Sequence, residues 1–207
     1  MIQMKVIGVT GGVGSGKSEV LDFLETEYPC RILKLDDAAK TIEQPGEECY
    51  DRLIRLMGTG ILTEPEKELS PIHTGKMAAR MFSDPEMVRQ VNGIVHPMVR
   101  SFVEEEIRKE REKGSLRLFF IEAALLIEAG YREILDELWY IYTRSEVRRQ
   151  RLKASRGYSD EKINDIMNSQ LSEEDFRREA DFAPDNSGSF EQTKEQIRER
   201  LKGYELL

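Results

Sequence analysis

The spacing of apolar positions changes period several times along the chain. Residues 5–10 (KVIGVT) form a short β-branched run that meets Gly11 at once, which predicts a buried strand feeding a turn. Val20, Leu21 and Leu24 then recur at helical spacing, predicting a helix over 18–27. A second strand is expected at 31–35 (RILKL), ending at Asp36-Asp37, with a helix from Ala38 that stops before Pro45-Gly46. The middle reads as helical: 49–57 is amphipathic, Gly58, Gly60 and Pro65 mark a loop, and helices are expected at 75–82, 85–95 and from Pro97 to about Lys113. Residues 116–121 (LRLFFI), ending in Glu122, and 138–142 (LWYIY) are further buried strands. Three polar helical pieces near 145–154, 159–169 and 172–179 follow. A short strand is expected at 182–185, then a turn at 186–188 and a closing helix over 190–201. Strands alternating with helices predict an α/β fold, a mostly parallel sheet covered on both faces in three layers. Ligands in such folds bind beyond the carboxyl ends of the strands, where Asp36, Asp37 and Glu122 are expected.

The glycines after the first strand carry the clearest chemistry. Gly11-Gly12-Val13-Gly14-Ser15-Gly16-Lys17-Ser18 fits G-x-x-x-x-G-K-[ST], with a predicted strand before it and a predicted helix after it. Glycines let the backbone curl until successive N–H groups face an anion, and the positive end of the helix adds to that field. Lys17 can reach the β- and γ-phosphates of a nucleoside triphosphate, and the Ser18 hydroxyl can ligate Mg²⁺. The loop implies a P-loop NTPase-type fold with a nucleoside triphosphate and Mg²⁺, but it does not name the acceptor, and switch GTPases, ATPases and small-molecule kinases all use it. A guanine-reading N-K-x-D is not matched by Asn164-Asp165 or Asp185-Asn186.

Two acids and one basic segment extend the candidate site. Asp36 can act as the base that takes or orients a hydroxyl proton, or it can cap the following helix; Asp37 can cap while Asp36 reacts. Glu122 ends its strand as a Walker-B acid would and can hold a Mg²⁺-bound water, or it can be a solvated strand end. Between Thr143 and Arg156 lie Arg144, Arg148, Arg149, Arg151, Lys153 and Arg156, against Glu146 alone. Such a run is commonly a solvated helix face. Its sign opposes that of the whole chain, which points to at least one arginine on a transferring phosphoryl group.

Composition narrows the partners. The 207 residues fit one domain, or one core with an insertion. With 31 Lys+Arg against 39 Asp+Glu the formal charge is −8, which disfavours a globally basic nucleic-acid binder. Cys30 and Cys49 form no CxxC, so a reducing compartment is expected rather than a disulfide framework or zinc site. The longest apolar runs, 123–127 and 138–142, fall far short of the ~18 residues a membrane span needs. The first ten residues show no long apolar leader, so no signal peptide is expected, and the location expected is cytoplasmic, with no membrane partner.

Taken in order, these residues resemble the dephospho-CoA kinase family nearly end to end. VTGGVGSGKSEV at 9–20 is similar to that family's opening, and Asp36 matches the acid after its second strand. Val91-Asn92-Gly93-Ile94-Val95-His96-Pro97 resembles its helix-to-helix His-Pro element, and EAALLIEAG at 122–130 its D-x-P-L-L-F-E-x-G segment. Arg151-Leu152, 157–161, Ser169-Gln170, Ala180-Asp181 and 185–188 follow its later pattern. Lys34, Glu122, Ala124 and Ser155 depart from it. The resemblance implies ATP-dependent phosphorylation of the 3′-hydroxyl of dephospho-CoA, the last step of coenzyme A synthesis. It implies ATP at 11–18 and at Asn186, with Asp36, Lys17 and Arg151 as catalytic residues and Ser18 and Glu122 on the metal. Asp36, His96, Leu125 and Glu128 are implied to line the acceptor side. The domain expected is a single P-loop kinase unit over 1–207. Its core spans about 1–57, 114–143 and 180–207, with a helical substrate-binding insertion at about 58–113 and a lid at about 144–179. A monomer or weak homo-oligomer is expected. The rival readings are a kinase for another small hydroxyl acceptor, such as a nucleoside or sugar, and a non-enzymatic nucleotide-dependent regulator.

Overall fold

The computed structural model describes residues 4–82 and 84–204. The expected first strand is β1 (Lys5–Thr10), and residues 1–3 lie outside the described ones. Helix α1 (Lys17–Glu27) follows the glycine loop, and then comes β2 (Cys30–Lys34). The next helices are α2 (Leu35–Ile42), α3 (Glu48–Met57), α4 (Thr74–Phe82) and α5 (Pro85–Lys113). Strands β3 (Leu118–Glu122) and β4 (Glu137–Tyr140) are followed by α6 (Ser145–Arg156), α7 (Asp160–Asn168), α8 (Glu173–Glu179) and α9 (Phe190–Leu201). The chain divides into two units, Met1–Leu33 with Glu110–Leu207, and Lys34–Lys109.

In the first unit the sheet order is β2-β3-β1-β4, and β1 pairs in parallel with both β3 and β4. Strands buried on both faces need no polar alternation, which is why LFFI and LWYI read as unbroken apolar runs. One face (Ile7, Val9, Leu118, Phe120, Trp139, Ile141) packs with Val20, Leu21 and Leu24 of α1 and with Ile197 and Leu201 of α9. Trp139 is wholly buried there, edge-on to Phe120 and Phe182, so it is a core residue and not contact surface. On the other face Leu126, Leu135 and Leu138 close around Gly8, and Phe176 of α8 stacks on Tyr140 at 4.6 Å.

Three expectations change. The strand expected at 182–185 is reduced to two parallel bridges beside β4, Trp139 with Phe182 and Tyr142 with Asp185. Pro184 accounts for the break, since it has no N–H to give to a ladder. The Tyr142 N–H still donates to the Pro184 carbonyl at 3.1 Å, so one side of the pairing survives.

In the second unit, the helices expected on either side of His96-Pro97 are the single 29-residue α5, with Pro97 inside it. Proline there forfeits one N–H bond, to the Gly93 carbonyl, and the rest of a long helix tolerates that loss. The third change concerns Asp36 and Asp37. They do not end a strand; they lie in the first turn of α2, whose N-cap is Lys34 with no side-chain cap bond. Acids in a first turn suit the helix dipole. Asp37 pairs with Lys40 at 2.8 Å instead of capping, which holds its carboxyl below the usual carboxylate range.

The same unit is tied together by backbone contacts around its apolar centre. The Tyr50 hydroxyl donates to the Ser70 carbonyl at 2.8 Å, and the Ser70 hydroxyl accepts from the Glu64 N–H at 2.8 Å.

Candidate active site

The loop between β1 and α1 has the backbone that its glycines allow. Gly11, Gly14 and Gly16 have φ of 152°, 82° and 90°, a region that side-chain-bearing residues avoid. Gly16 also serves as the left-handed N-cap of α1, so Lys17 and Ser18 start the helix at the positive end of its dipole. Ser18 is exposed in that first turn, whereas Ser15 is buried. Among the described residues the Ser15 hydroxyl has no hydrogen-bond partner, an orphaned polar atom inside an anion-binding loop.

Lys17 lies low over this loop. Its Nζ donates to the Gly11 carbonyl at 2.8 Å and stands 3.8 Å from a carboxylate oxygen of Glu122, with both side chains largely buried. Glu122 reaches this position because β3 is adjacent to β1, with Val9 opposite Glu122 in the register. The positions after Glu122 are bound to the same strand, since the Thr10 hydroxyl donates to the Ala124 carbonyl at 3.2 Å. Leu125 and Glu128 follow on the surface, Leu125 as one of the exposed large apolar side chains.

The Ser15 carbonyl is the second anchor of the loop. It accepts from the Thr143 hydroxyl at 2.9 Å, the Asn186 amide at 2.8 Å and, more weakly, Arg151 Nη1 at 3.4 Å. Asn186 is wholly buried, and its own Oδ1 accepts from Thr193 at 2.9 Å. Arg151 Nη2 donates to the Asn186 carbonyl at 2.9 Å. Asn186 and Arg151 therefore hold the loop from behind while Arg151 keeps its fork at the loop's edge.

The third anchor is the loop tip. Arg148 Nε donates to the Val13 carbonyl at 3.0 Å, and its Nη2 donates to Gln170 Oε1 at 2.6 Å. The Val13 N–H donates to the same Gln170 oxygen at 3.3 Å. Burial lowers the Arg148 pKa from its usual value, although a guanidinium stays charged at neutral pH.

Of the residues singled out by sequence, Gly11 to Ser18, Glu122, Arg151 and Asn186 come together in the first unit, with Leu125 and Glu128 a few residues past Glu122. Asp36 and His96 belong to the second unit, Asp36 exposed in α2 and His96 exposed in the middle of α5. No local signal marks Thr143 or Gln170 as a loop contact, and Arg148 is one of six bases in a run. Their partners lie 128, 157 and 135 positions away, and no local pattern reports such pairings.

A parallel sheet with a phosphate loop at the carboxyl end of its central strand, a loop lysine beside a strand-end carboxylate, and arginines brought in from a later helix define a P-loop kinase. The dephospho-CoA kinase family profile matches residues 5–192. The chain belongs to the dephospho-CoA kinase family. It is 34% identical over 197 residues to a dephospho-CoA kinase of Carboxydothermus hydrogenoformans, covering 95% of this chain and 93% of that one. Among solved structures, TT1252 from Thermus thermophilus superposes with a TM-score of 0.77 at 29% identity, covering 97% of this chain and 98% of that one. Shikimate kinase from Bacteroides thetaiotaomicron shares the fold at a TM-score of 0.57 and 10% identity, covering 98% of this chain and 99% of that one.

Proposed function

We propose that this chain transfers the γ-phosphoryl group of ATP to the 3′-hydroxyl of dephospho-CoA, giving coenzyme A and ADP, the last step of coenzyme A synthesis. The observation that carries the reading is the family match over 5–192, which contains the whole loop, Glu122, Arg151 and Asn186.

The loop N–H groups and the amino end of α1 bind the phosphates, and Lys17 adds a charge that neutralises the transferring group. Ser18 in the first turn and Glu122 beside Lys17 fit a Mg²⁺ ion, which takes few protein ligands and keeps several waters. Bound there, the ion would neutralise phosphate charge. Arg151 can turn its fork from the Ser15 and Asn186 carbonyls to the phosphoryl oxygens. Asp36 takes the 3′-hydroxyl proton as the oxygen attacks the γ-phosphorus and the bond to the bridging oxygen of ADP breaks. The family pattern assigns that role, and an exposed carboxylate in the first turn of α2 is chemically suited to it. His96, Leu125 and Glu128 are assigned to the acceptor by the same pattern. We further assign the core to about 1–57, 114–143 and 180–207, the substrate-binding insertion to about 58–113 and the lid to about 144–179.

Among the described residues no helix is long and apolar enough to cross a membrane, in keeping with a small-molecule substrate. The test is ADP release measured across a panel of acceptors. Dephospho-CoA should be preferred by orders of magnitude. A nucleoside or sugar in its place would keep the kinase and change the acceptor, and ATP binding without ADP release from any acceptor would leave a nucleotide-dependent regulator.

A further inference from the structure

The loop tip is held in a closed ring of hydrogen bonds. Val13 gives its N–H to Gln170 Oε1, Gln170 Oε1 accepts from Arg148 Nη2, and Arg148 Nε returns to the Val13 carbonyl. Two donors converge on one atom of the Gln170 side chain, so that atom is the oxygen, because an amide nitrogen cannot accept. Both backbone groups of Val13 are thus fixed by residues of the segment that follows β4. The loop itself is glycine-rich, and an untied loop of this composition would sample many shapes of which few present their N–H groups to a phosphate.

We propose that Gln170 and Arg148 are positioning residues that hold Val13, and with it the phosphate loop, in the shape that receives a nucleoside triphosphate. They act through the loop and need not touch the phosphates. Gln170 marks the point where α7 ends, its own N–H donating to the Met167 carbonyl at 3.4 Å. The position of the helical segment after β4 and the order of the loop are therefore linked. The inference rests on the reading of 11–18 as the ATP site but not on the identity of the acceptor.

Two variants and one conservative control test it. Gln170→Leu removes the shared acceptor, Arg148→Gln removes the bond to the Val13 carbonyl, and Gln170→Glu keeps an acceptor oxygen and adds a charge pair with Arg148. ATP is titrated calorimetrically with no acceptor present, beside urea unfolding of each chain. Gln170→Leu and Arg148→Gln should each weaken ATP binding about tenfold, the order expected when a preorganised site must be ordered by its ligand. Gln170→Glu should remain within about threefold of the unchanged chain, with urea midpoints little moved. In the ADP-release assay the KM for ATP should rise and the KM for the acceptor should stay constant. Unaltered ATP affinity in Gln170→Leu, or Gln170→Glu as impaired as Gln170→Leu, overturns the proposal. Gln170→Leu could fail to fold, in which case Arg148→Gln decides alone: weakened ATP binding supports the proposal and unaltered binding overturns it. Failure of the unchanged chain to phosphorylate dephospho-CoA would sink the proposed reaction while leaving the binding result intact.

Discussion

A Cβ at Gly12 would come 2.2 Å from the Arg148 guanidinium, yet Gly12 is not among the glycines with positive φ. Its backbone is outside the left-handed region, and the nearest atoms such a Cβ would meet are those of the Arg148 guanidinium. Arginine is flexible and can swing aside, so Gly12→Ala should fold normally but lose the bond to the Val13 carbonyl. ATP affinity should then fall by roughly tenfold. In the background of Arg148→Ala the same methyl should cost nothing further, because two changes that break one contact are not additive. Equal penalties in both backgrounds, read by ATP titration, would show that the methyl acts elsewhere. Asp36 and Lys17 allow sharper tests. Asp36→Asn should lower turnover ~10²-fold or more with ATP still bound, as expected for loss of a general base. Near-normal turnover would remove Asp36 from the chemistry. Lys17→Ala should damage catalysis far more than the urea midpoint. Equal loss of both would make its bond to the Gly11 carbonyl a structural one.

Elements were legible where the signal was local and failed where a neighbour in space decided. The strand, glycine loop and helix over 5–27 could be read because each glycine and each apolar repeat acts within a few residues. The same holds for α9, whose Ser189 and Gln192 form a capping box three positions apart. Asp36 lies in a helix and not at a strand end because, although RILKL has strand character to its last residue, the helix begins at Leu35 with α2 packing its Ala38 and Ile42 inward. Pro97 has the local signature of a break, but a 29-residue helix absorbs one missing bond. That reading has a measurable consequence. An interior proline costs ~3 kcal/mol relative to alanine in a helix, offset by up to ~1 kcal/mol because proline restricts the unfolded chain. Pro97→Ala should therefore stabilise the chain by about 2–3 kcal/mol, read as a higher urea midpoint at unchanged slope. A loss of stability would mean that the proline shapes the helix in a way the rest of the unit depends on. The candidate site divides the same way. Gly11 to Ser18 were visible as a motif, whereas Thr143, Arg148 and Gln170 meet the loop only because the sheet brings β4 beside β1.

At the scale of the molecule the −8 charge coexists with carboxylates whose titration is linked to folding. Glu137 shows this most clearly. Burial raises its pKa, but hydrogen bonds from Tyr204, from Trp139 at 2.9 Å and from Arg200 outweigh burial and leave it below its ordinary value of 4.5. Glu110, bonded to Lys113 at 2.8 Å and Arg31 at 2.6 Å, is lowered as well. A group whose folded pKa is depressed contributes stability that is fully present above its unfolded value and disappears as pH falls through its folded value. Stability should thus be level near neutrality and decline as pH drops below about 4.5, the usual value for glutamate. Glu137 ties β4 to Arg200 of α9 and to Tyr204 just beyond it, so its protonation should loosen that corner. Glu137→Gln should lower the urea midpoint at pH 7 and flatten its fall between pH 5 and pH 3, because one of the groups that must take up a proton is gone. An equally steep fall in the variant would place the acid sensitivity in other carboxylates.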